Sequence, residues 1–201
     1  MKKVFALAML VMALLVSACG GGEEKAAVKP TPAEDVATIC NALLHFDDAA
    51  LKKVGLNPEE YQKEFLGGFS KSFIESSGIA FSDEQVAKVN DAVENAFKRA
   101  TIKTETVSEE GNKATVKVTV DTFEKFTEDL VTAKFPENIA ELPESERNDA
   151  IINAAIATLQ DLKVTGNADL TFECQYNEEA KMWAPVGDDY AAKIAAAIFS
   201  I

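Results

Sequence analysis

The chain contains few of the residues from which common catalytic and metal sites are built. Of its 201 residues, one is histidine and three are cysteine. No Cys-x-x-Cys, His-Glu-x-x-His, P-loop or Gly-x-Gly-x-x-Gly pattern occurs, which excludes the usual zinc, redox and nucleotide motifs. The single histidine, His45, is within reach of Asp48 near the end of a predicted helix, where we expect a surface pair. We therefore expect no catalytic residues, no cofactor and no metal ion.

Positive charge is also scarce. The chain has 20 basic and 33 acidic side chains, a formal charge of −13. An acidic surface repels nucleic acid and anionic lipid headgroups. We therefore expect no nucleic-acid partner and no membrane attachment through a basic patch. Acidic doublets at 47–48, 59–60, 109–110, 178–179 and 188–189 lie at predicted helix starts and turns, where acids are favoured by the helix dipole or by water.

The amino terminus has the pattern of an export signal. Lys2 and Lys3 precede an apolar run over 4–16, which is too short to span a bilayer. Val16-Ser17-Ala18-Cys19 resembles the lipobox of bacterial lipoproteins, in which the cysteine sulfur receives a lipid and the chain is cut before it. The alternative is an ordinary signal peptide or membrane helix with an incidental cysteine. We predict a signal peptide at 1–18 and lipid attachment at Cys19.

The residues after Cys19 have the composition of a flexible tether. Residues 20–32 are rich in glycine, proline and charge and show no apolar periodicity. We assign 19–32 to the lipidated cysteine and tether, and 33–201 to one domain. Two or more acyl chains anchor a protein stably, so we expect the domain on the extracytoplasmic side of the cell membrane or outer membrane.

Three early helices are indicated by their starts and by apolar spacing. The caps are Thr31 before Pro32, Asn57 before Pro58, and Ser82 with Gln85 three residues later. Two more helices are predicted over 122–134 and 145–162, and a last one after Asp188 and Asp189. We expect the small residues Gly67 and Gly68 to permit close helix packing.

The apolar period changes to two in two places, as in half-buried strands. Residues 114–120 alternate after a turn at 109–112, and residues 168–176 alternate before a second turn at 177–179. Each turn joins two strands into a hairpin. The predicted class is α+β, with a predominantly antiparallel sheet of two hairpins, about four strands, packed against several helices.

The chain resembles the lipid-anchored lipoproteins whose exported part is a nuclear-transport-factor-2-like or cystatin-like domain. The resemblance rests on the lipobox, the early helices, the hairpin KTETVSEEGNKATVKVTVD and the ending FECQYNEEAKMWAPVGDDY. It covers most of 33–201, except that two helices separate the hairpins. It implies a concave sheet closed by helices, whose hollow can hold an apolar ligand.

Two sets of inward residues are candidate sites. We predict an apolar pocket from the aromatic stripe of one helix and aromatic residues of the second hairpin: Tyr61, Phe65, Phe69, Phe172 and Trp183. Cys40 and Cys174 are predicted on inward faces of the first helix and the third strand. Either a disulfide or two buried free thiols is consistent with that placement.

These patterns favour a lipid-anchored cell-envelope lipoprotein that is not an enzyme. Its domain would bind a small apolar ligand, a peptide or an envelope protein. The alternative is an enzyme of the ketosteroid-isomerase kind, because the resembled fold can hold a buried acid in the sheet cavity. Such an enzyme requires an inward carboxylate near Tyr61 or Tyr176.

Overall fold

Four antiparallel strands form the sheet of this computed structural model, which describes residues 30–187 and 189–199. The strands follow one another in the order β1-β2-β3-β4. The predicted α+β class with two hairpins is confirmed. The predicted signal peptide, Cys19, the predicted tether before residue 30, and Asp188 lie outside the described residues. The strands are β1 (Ile102–Glu110), β2 (Lys113–Phe123), β3 (Val164–Asn177) and β4 (Met182–Pro185).

Several helices begin at a residue whose side chain caps them. Thr31 and Glu34 form a capping box, as do Ser82 and Gln85, and the Asn57 side chain accepts from two amides of the next turn. The predicted domain boundary at residue 33 falls inside the first helix. The helices are α1 (Pro32–Leu44), α2 (Asp48–Lys53), α3 (Pro58–Ser77), α4 (Asp83–Arg99), α5 (Glu128–Thr132), a short 3₁₀ helix (Ile139–Glu141), α6 (Glu144–Asp161) and α7 (Tyr190–Ile198).

The sheet has one apolar and one polar face. On β2, Val116, Val118 and Val120 are fully buried beneath the helices. On the opposite face, Lys117 Nζ lies 2.8 Å from Asp169 Oδ2, and the Thr119 hydroxyl donates to Asp169 Oδ1 over 2.7 Å. The alternation seen in the sequence is thus the alternation between core and water.

Helix α1 crosses the apolar face and is bonded to both edge strands. The Ala33 amide donates to Thr106 Oγ1 at 3.1 Å, and Thr104 Oγ1 donates to the Ala33 carbonyl at 2.9 Å. On the other side, the Trp183 amide of β4 donates to Asp35 Oδ2 at 2.9 Å. The first turn of α1 therefore bridges the two edge strands, through threonine side chains on β1 and a backbone amide on β4.

Helices α3 and α4 are fixed to the end of α1 that lies away from these bonds. The Tyr61 hydroxyl donates to the Leu43 carbonyl at 2.8 Å, and His45 Nε2 lies 2.7 Å from the Ala100 carbonyl oxygen. His45 therefore joins the ends of α1 and α4, which is not the surface pair with Asp48 expected from the sequence.

The structure corrects the predicted helix over 122–134. Phe123 is the last residue of β2 and pairs with Val164 of β3, and only Glu128–Thr132 is helical. The aromatic residues Phe123 and Phe126 fit a helical spacing, but the strand continues because its partner β3 is long enough to pair with it. Helix α2 was not predicted, since its six residues bury one side chain, Leu51.

Candidate functional site

The aromatic stripe of α3 packs ring against ring on the core. The Phe65 ring centroid lies 5.4 Å from that of Phe46 and 5.5 Å from that of Phe97, and Phe69 lies 6.1 Å from Phe199. These edge-to-face and tilted arrangements are typical of packed aromatic clusters. The stripe therefore forms part of a dense cluster between α3, α4 and the end of α7.

The five predicted pocket residues do not come together. Tyr61, Phe65 and Phe69 share the aromatic cluster, because they lie on one face of α3. Trp183 instead packs against Tyr176, with ring centroids 5.3 Å apart, near the turn between β3 and β4. Phe172 is buried in β3 opposite Val116. The alternation along a strand shows which face of the sheet a side chain lies on, but not the end of the sheet at which it lies.

A groove with a volume of about 770 Å³ opens between α3 and α4, on the side of α3 away from the aromatic cluster. Its floor is apolar, from Leu66, Ile74 and Val86, and charged residues of both signs line the α3 rim. The complete lining is Glu59, Gln62, Lys63, Leu66, Gly67, Ser70, Lys71, Ile74, Glu75, Val86 and Asn90. An apolar floor bordered by charged side chains suits a peptide better than a small apolar molecule.

Two polar residues give this groove hydrogen-bonding capacity. Asn90 Oδ1 is buried without a hydrogen-bond partner among the described residues. Ser70 is 2% exposed, and its hydroxyl donates back to the Gly67 carbonyl at 3.2 Å. A buried acceptor left unpaired costs free energy, which a donor brought into the groove would recover. The sequence does contain a sign of this groove, because each helix has a polar residue on an apolar stripe. Asn90 follows Val86 by four residues, and Ser70 follows Leu66 by four residues.

Gly67 widens the groove. A Cβ atom placed on Gly67 would meet no other atom within 4 Å. The expectation that this glycine permits close helix packing is therefore wrong, because no neighbouring helix approaches it. A glycine inside a helix costs roughly 1 kcal/mol relative to alanine. Because Gly67 has no side chain, the backbone of α3 is accessible from the groove at this position.

A second groove, of about 650 Å³, lies beside the turn between β1 and β2. Its lining includes Glu109, Glu110 and Glu173, together with Cys174 and Val186. Among residues 30–187 and 189–199, no group of three or more His, Cys, Asp or Glu side chains is arranged to hold a metal ion. Glu109 and Glu110 end β1 at the turn, Glu173 lies on the outer face of β3, and all three are exposed.

Cys40 and Cys174 are both buried, and the structure has them as free thiols. Burial raises the pKa of the Cys40 thiol to about 12, and the nearby Cys174 adds to that rise. Burial also raises the pKa of Cys174 to about 11. Of the two alternatives left open by the sequence, the structure has the buried thiols. Both are protonated and unreactive at neutral pH.

Asp35 is a buried acid at the start of α1. It is 1% exposed, and burial raises its pKa, while the hydrogen bond from the Trp183 amide acts in the opposite direction. Tyr61 also has a raised pKa because of burial, but it lies at the other end of α1, against Leu43. Asp35 lines neither groove described above. The carboxylate is thus placed to hold β4 against α1.

The fold is similar to that of a solved bacterial protein. A crystal structure of ycdA, a Bacillus subtilis protein assigned as a lipoprotein, aligns with a TM-score of 0.63 at 18% sequence identity. The alignment covers 84% of this chain, which spans only 55% of the other. The sequence matches no family model and no curated protein. The similarity therefore concerns the fold. Within the described parts of the chain, no helix has the length and apolar character needed to cross a bilayer.

Proposed function

We propose that this protein is a cell-envelope lipoprotein, anchored by acyl chains on Cys19, whose domain binds a peptide segment of a partner protein. Binding takes place in the groove between α3 and α4 and involves no catalysis. The lipobox pattern supports the anchor, as does the shared fold with a protein assigned as a lipoprotein. The domain lies on the extracytoplasmic side of the cell membrane or outer membrane.

The unpaired Asn90 acceptor in an apolar groove carries this proposal. A peptide amide or side-chain donor would satisfy Asn90 Oδ1 while its apolar side chains cover Leu66, Ile74 and Val86. Gly67 allows the bound segment to approach the α3 backbone. Lys63, Lys71, Glu59 and Glu75 on the rim offer both signs of charge to the flanks of the segment.

A small apolar ligand has less support. The aromatic side chains that would bind it contact one another at ring distances of 5.1 to 6.3 Å around Phe46, Phe97 and Phe199. The enzyme alternative depends on the buried carboxylate of Asp35, which is engaged by the Trp183 amide. The first observation gives no support to a small apolar ligand, and the second gives none to an enzyme.

The anchor is tested by metabolic labelling of the host with a clickable fatty acid. Wild-type protein should incorporate the label, and the Cys19→Ser variant should not. Equal labelling of both would refute the lipid anchor.

The groove is tested with a photo-crosslinking amino acid at position 71, on the groove rim, in living cells. We expect one discrete crosslinked protein. The variant Gly67→Trp should abolish the adduct, because the indole fills the groove without a clash at the Cβ position. The matched control is Glu64→Trp, which adds the same bulk at an exposed position of α3 outside the groove. An adduct that survives Gly67→Trp, or is lost equally in both variants, would contradict binding in the groove.

A further inference from the structure

The chain enters the domain at a fixed place. The Pro30 carbonyl accepts a 3.2 Å hydrogen bond from Trp183 Nε1, and Ala33 is bonded to Thr104 and Thr106 of β1. The first described residues are therefore held by both edge strands. Any force from an anchor at Cys19 acts on the domain at this point.

Both hairpin turns lie at the same end of the sheet as this point. Trp183 pairs with Tyr176 across β4 and β3, and the Tyr176 amide donates to the Asn112 carbonyl in the turn of the first hairpin at 2.9 Å. The Asn112 side chain also donates to Glu178 Oε1, at 3.2 Å, in the turn of the second hairpin. The two turns thus contact one another beside the place where the chain enters.

The groove between α3 and α4 lies towards the other end. Helix α1 has 13 residues and is roughly 20 Å long, and its last turn is bonded to Tyr61 of α3. Further along α3, Phe73 packs against Phe126, which follows the end of β2, with ring centroids 5.9 Å apart. Helix α3 therefore lies across the end of the sheet that is remote from the hairpin turns.

We infer that the domain stands on the membrane with its two hairpin turns towards the lipid and the groove between α3 and α4 away from it. This rests on the proposed lipid anchor. Ten residues separate Cys19 from Pro30, so the connection reaches about 40 Å at full extension. Strand β3, with 14 residues, is about 45 Å long. An inverted domain would place Pro30 nearly the length of β3 from the lipid, a distance that the connection spans only at full extension.

The charge of the turn end determines how it meets the membrane. Glu109, Glu110, Glu178 and Glu179 are exposed there, against Lys113 and Lys181. An acid excess is repelled by anionic headgroups over roughly one Debye length, about 8 Å at physiological salt. The turn end therefore faces the bilayer without inserting into it, and a partner reaches the groove from the side remote from the membrane.

The test is energy transfer from a donor dye on the full-length lipidated protein to an acceptor dye on lipid headgroups of vesicles. One protein carries the donor at Glu179→Cys in the second turn, and the other carries it at Lys71→Cys on the groove rim. The unsubstituted protein measures background labelling of Cys40 and Cys174, which are buried. We expect at least twofold greater transfer efficiency from position 179 than from position 71. Equal or reversed efficiencies would overturn the orientation.

Lipid charge and tether length provide two further readouts. Replacing phosphatidylcholine with a mixture rich in phosphatidylglycerol should lower transfer from position 179, and Glu178→Lys combined with Glu110→Lys should restore it. Inserting ten Gly and Ser residues after Gly22 should reduce the difference between positions 179 and 71. If neither change has an effect, the inferred orientation is wrong. Failure of lipidated protein to bind vesicles at all would instead refute the anchor of the proposed function.

Discussion

The backbone amide of Trp183 donates a 2.9 Å hydrogen bond to Asp35 Oδ2, although 148 residues separate the two in sequence. This bond joins the first turn of α1 to the outer edge of β4, the last and shortest strand. Trp183 is fully buried, and its indole N–H is also used, by the Pro30 carbonyl. One side chain and one carboxylate thus close the sheet edge and fix the chain where it enters the domain.

Replacement of Asp35 should distinguish its hydrogen bond from its charge. Asp35→Ala leaves the buried Trp183 amide without an acceptor, and we expect the free energy of unfolding to fall by about 1–3 kcal/mol. Asp35→Asn keeps an acceptor oxygen and removes a buried charge, so it should lose less than the alanine variant at pH 7. Urea unfolding followed by Trp183 fluorescence measures both. Equal losses would show that the acceptor oxygen retained by asparagine does not stabilise the fold.

The same pair of variants predicts a dependence on pH. Burial raises the pKa of Asp35 in the folded state, so the folded protein binds a proton that the unfolded chain releases at about pH 4. The wild type should therefore gain stability relative to Asp35→Asn as pH falls from neutrality through the raised pKa towards 4. The charges of Lys53 and Glu34 respectively lower and raise the pKa of Asp35, and both residues are present in both proteins. A constant difference between the two proteins across this range would contradict the raised pKa.

Two glycines of α3 should respond to alanine in opposite directions. Gly67 lies within the helix, facing open space, so Gly67→Ala should stabilise the fold by up to about 1 kcal/mol. Gly78 ends the helix at φ +67°, so Gly78→Ala should destabilise by about 1 kcal/mol or more. Thermal unfolding of both variants measures the difference. A loss of stability in Gly67→Ala would mean that the glycine has a packing role after all.

The sequence was sufficient for features that depend on neighbouring residues. Thr31, Asn57 and Ser82 cap their helices because the bonds concerned reach only two or three residues along the chain. The alternation of apolar and polar residues along β2 and β3 likewise shows which face of each strand is buried. The α+β class follows from the order of these elements. All of this could be predicted without knowing where any helix packs.

The candidate groove could not be predicted in the same way. Asn90 and Ser70 lie on different helices, and they line one groove only because α3 and α4 pack beside each other. Trp183 and Phe65 are both inward-facing aromatics, yet they lie in different parts of the core, since strand pairing sets the end at which each is found. Such positions depend on contacts between residues that are distant in sequence.

The state of the two buried cysteines can be measured directly. Because burial raises both thiol pKa values, to about 12 and about 11, a thiol reagent should react slowly with the native domain at neutral pH. After denaturation without reductant, we expect two labelled thiols in protein whose Cys19 is replaced by serine. Intact-mass analysis counts the labels. No label after denaturation would establish a disulfide between Cys40 and Cys174.

Tyr61 should stabilise the fold less as the solution becomes alkaline. Tyr61→Phe removes the 2.8 Å hydrogen bond to Leu43, which should cost about 0.5–1.5 kcal/mol at neutral pH. Burial raises the pKa of Tyr61 in the folded state, whereas in the unfolded chain tyrosine ionises near pH 10. Ionisation therefore stabilises the unfolded wild type above about pH 10, which lowers its free energy of unfolding. The difference in this free energy between wild type and Tyr61→Phe should shrink between about pH 8 and about pH 11. Urea titrations at these two pH values measure the change. Tyr190, whose pKa burial raises to about 12, is present in both proteins. A cost that stays constant or grows with pH would show that Tyr61 is not protected from ionisation by the fold.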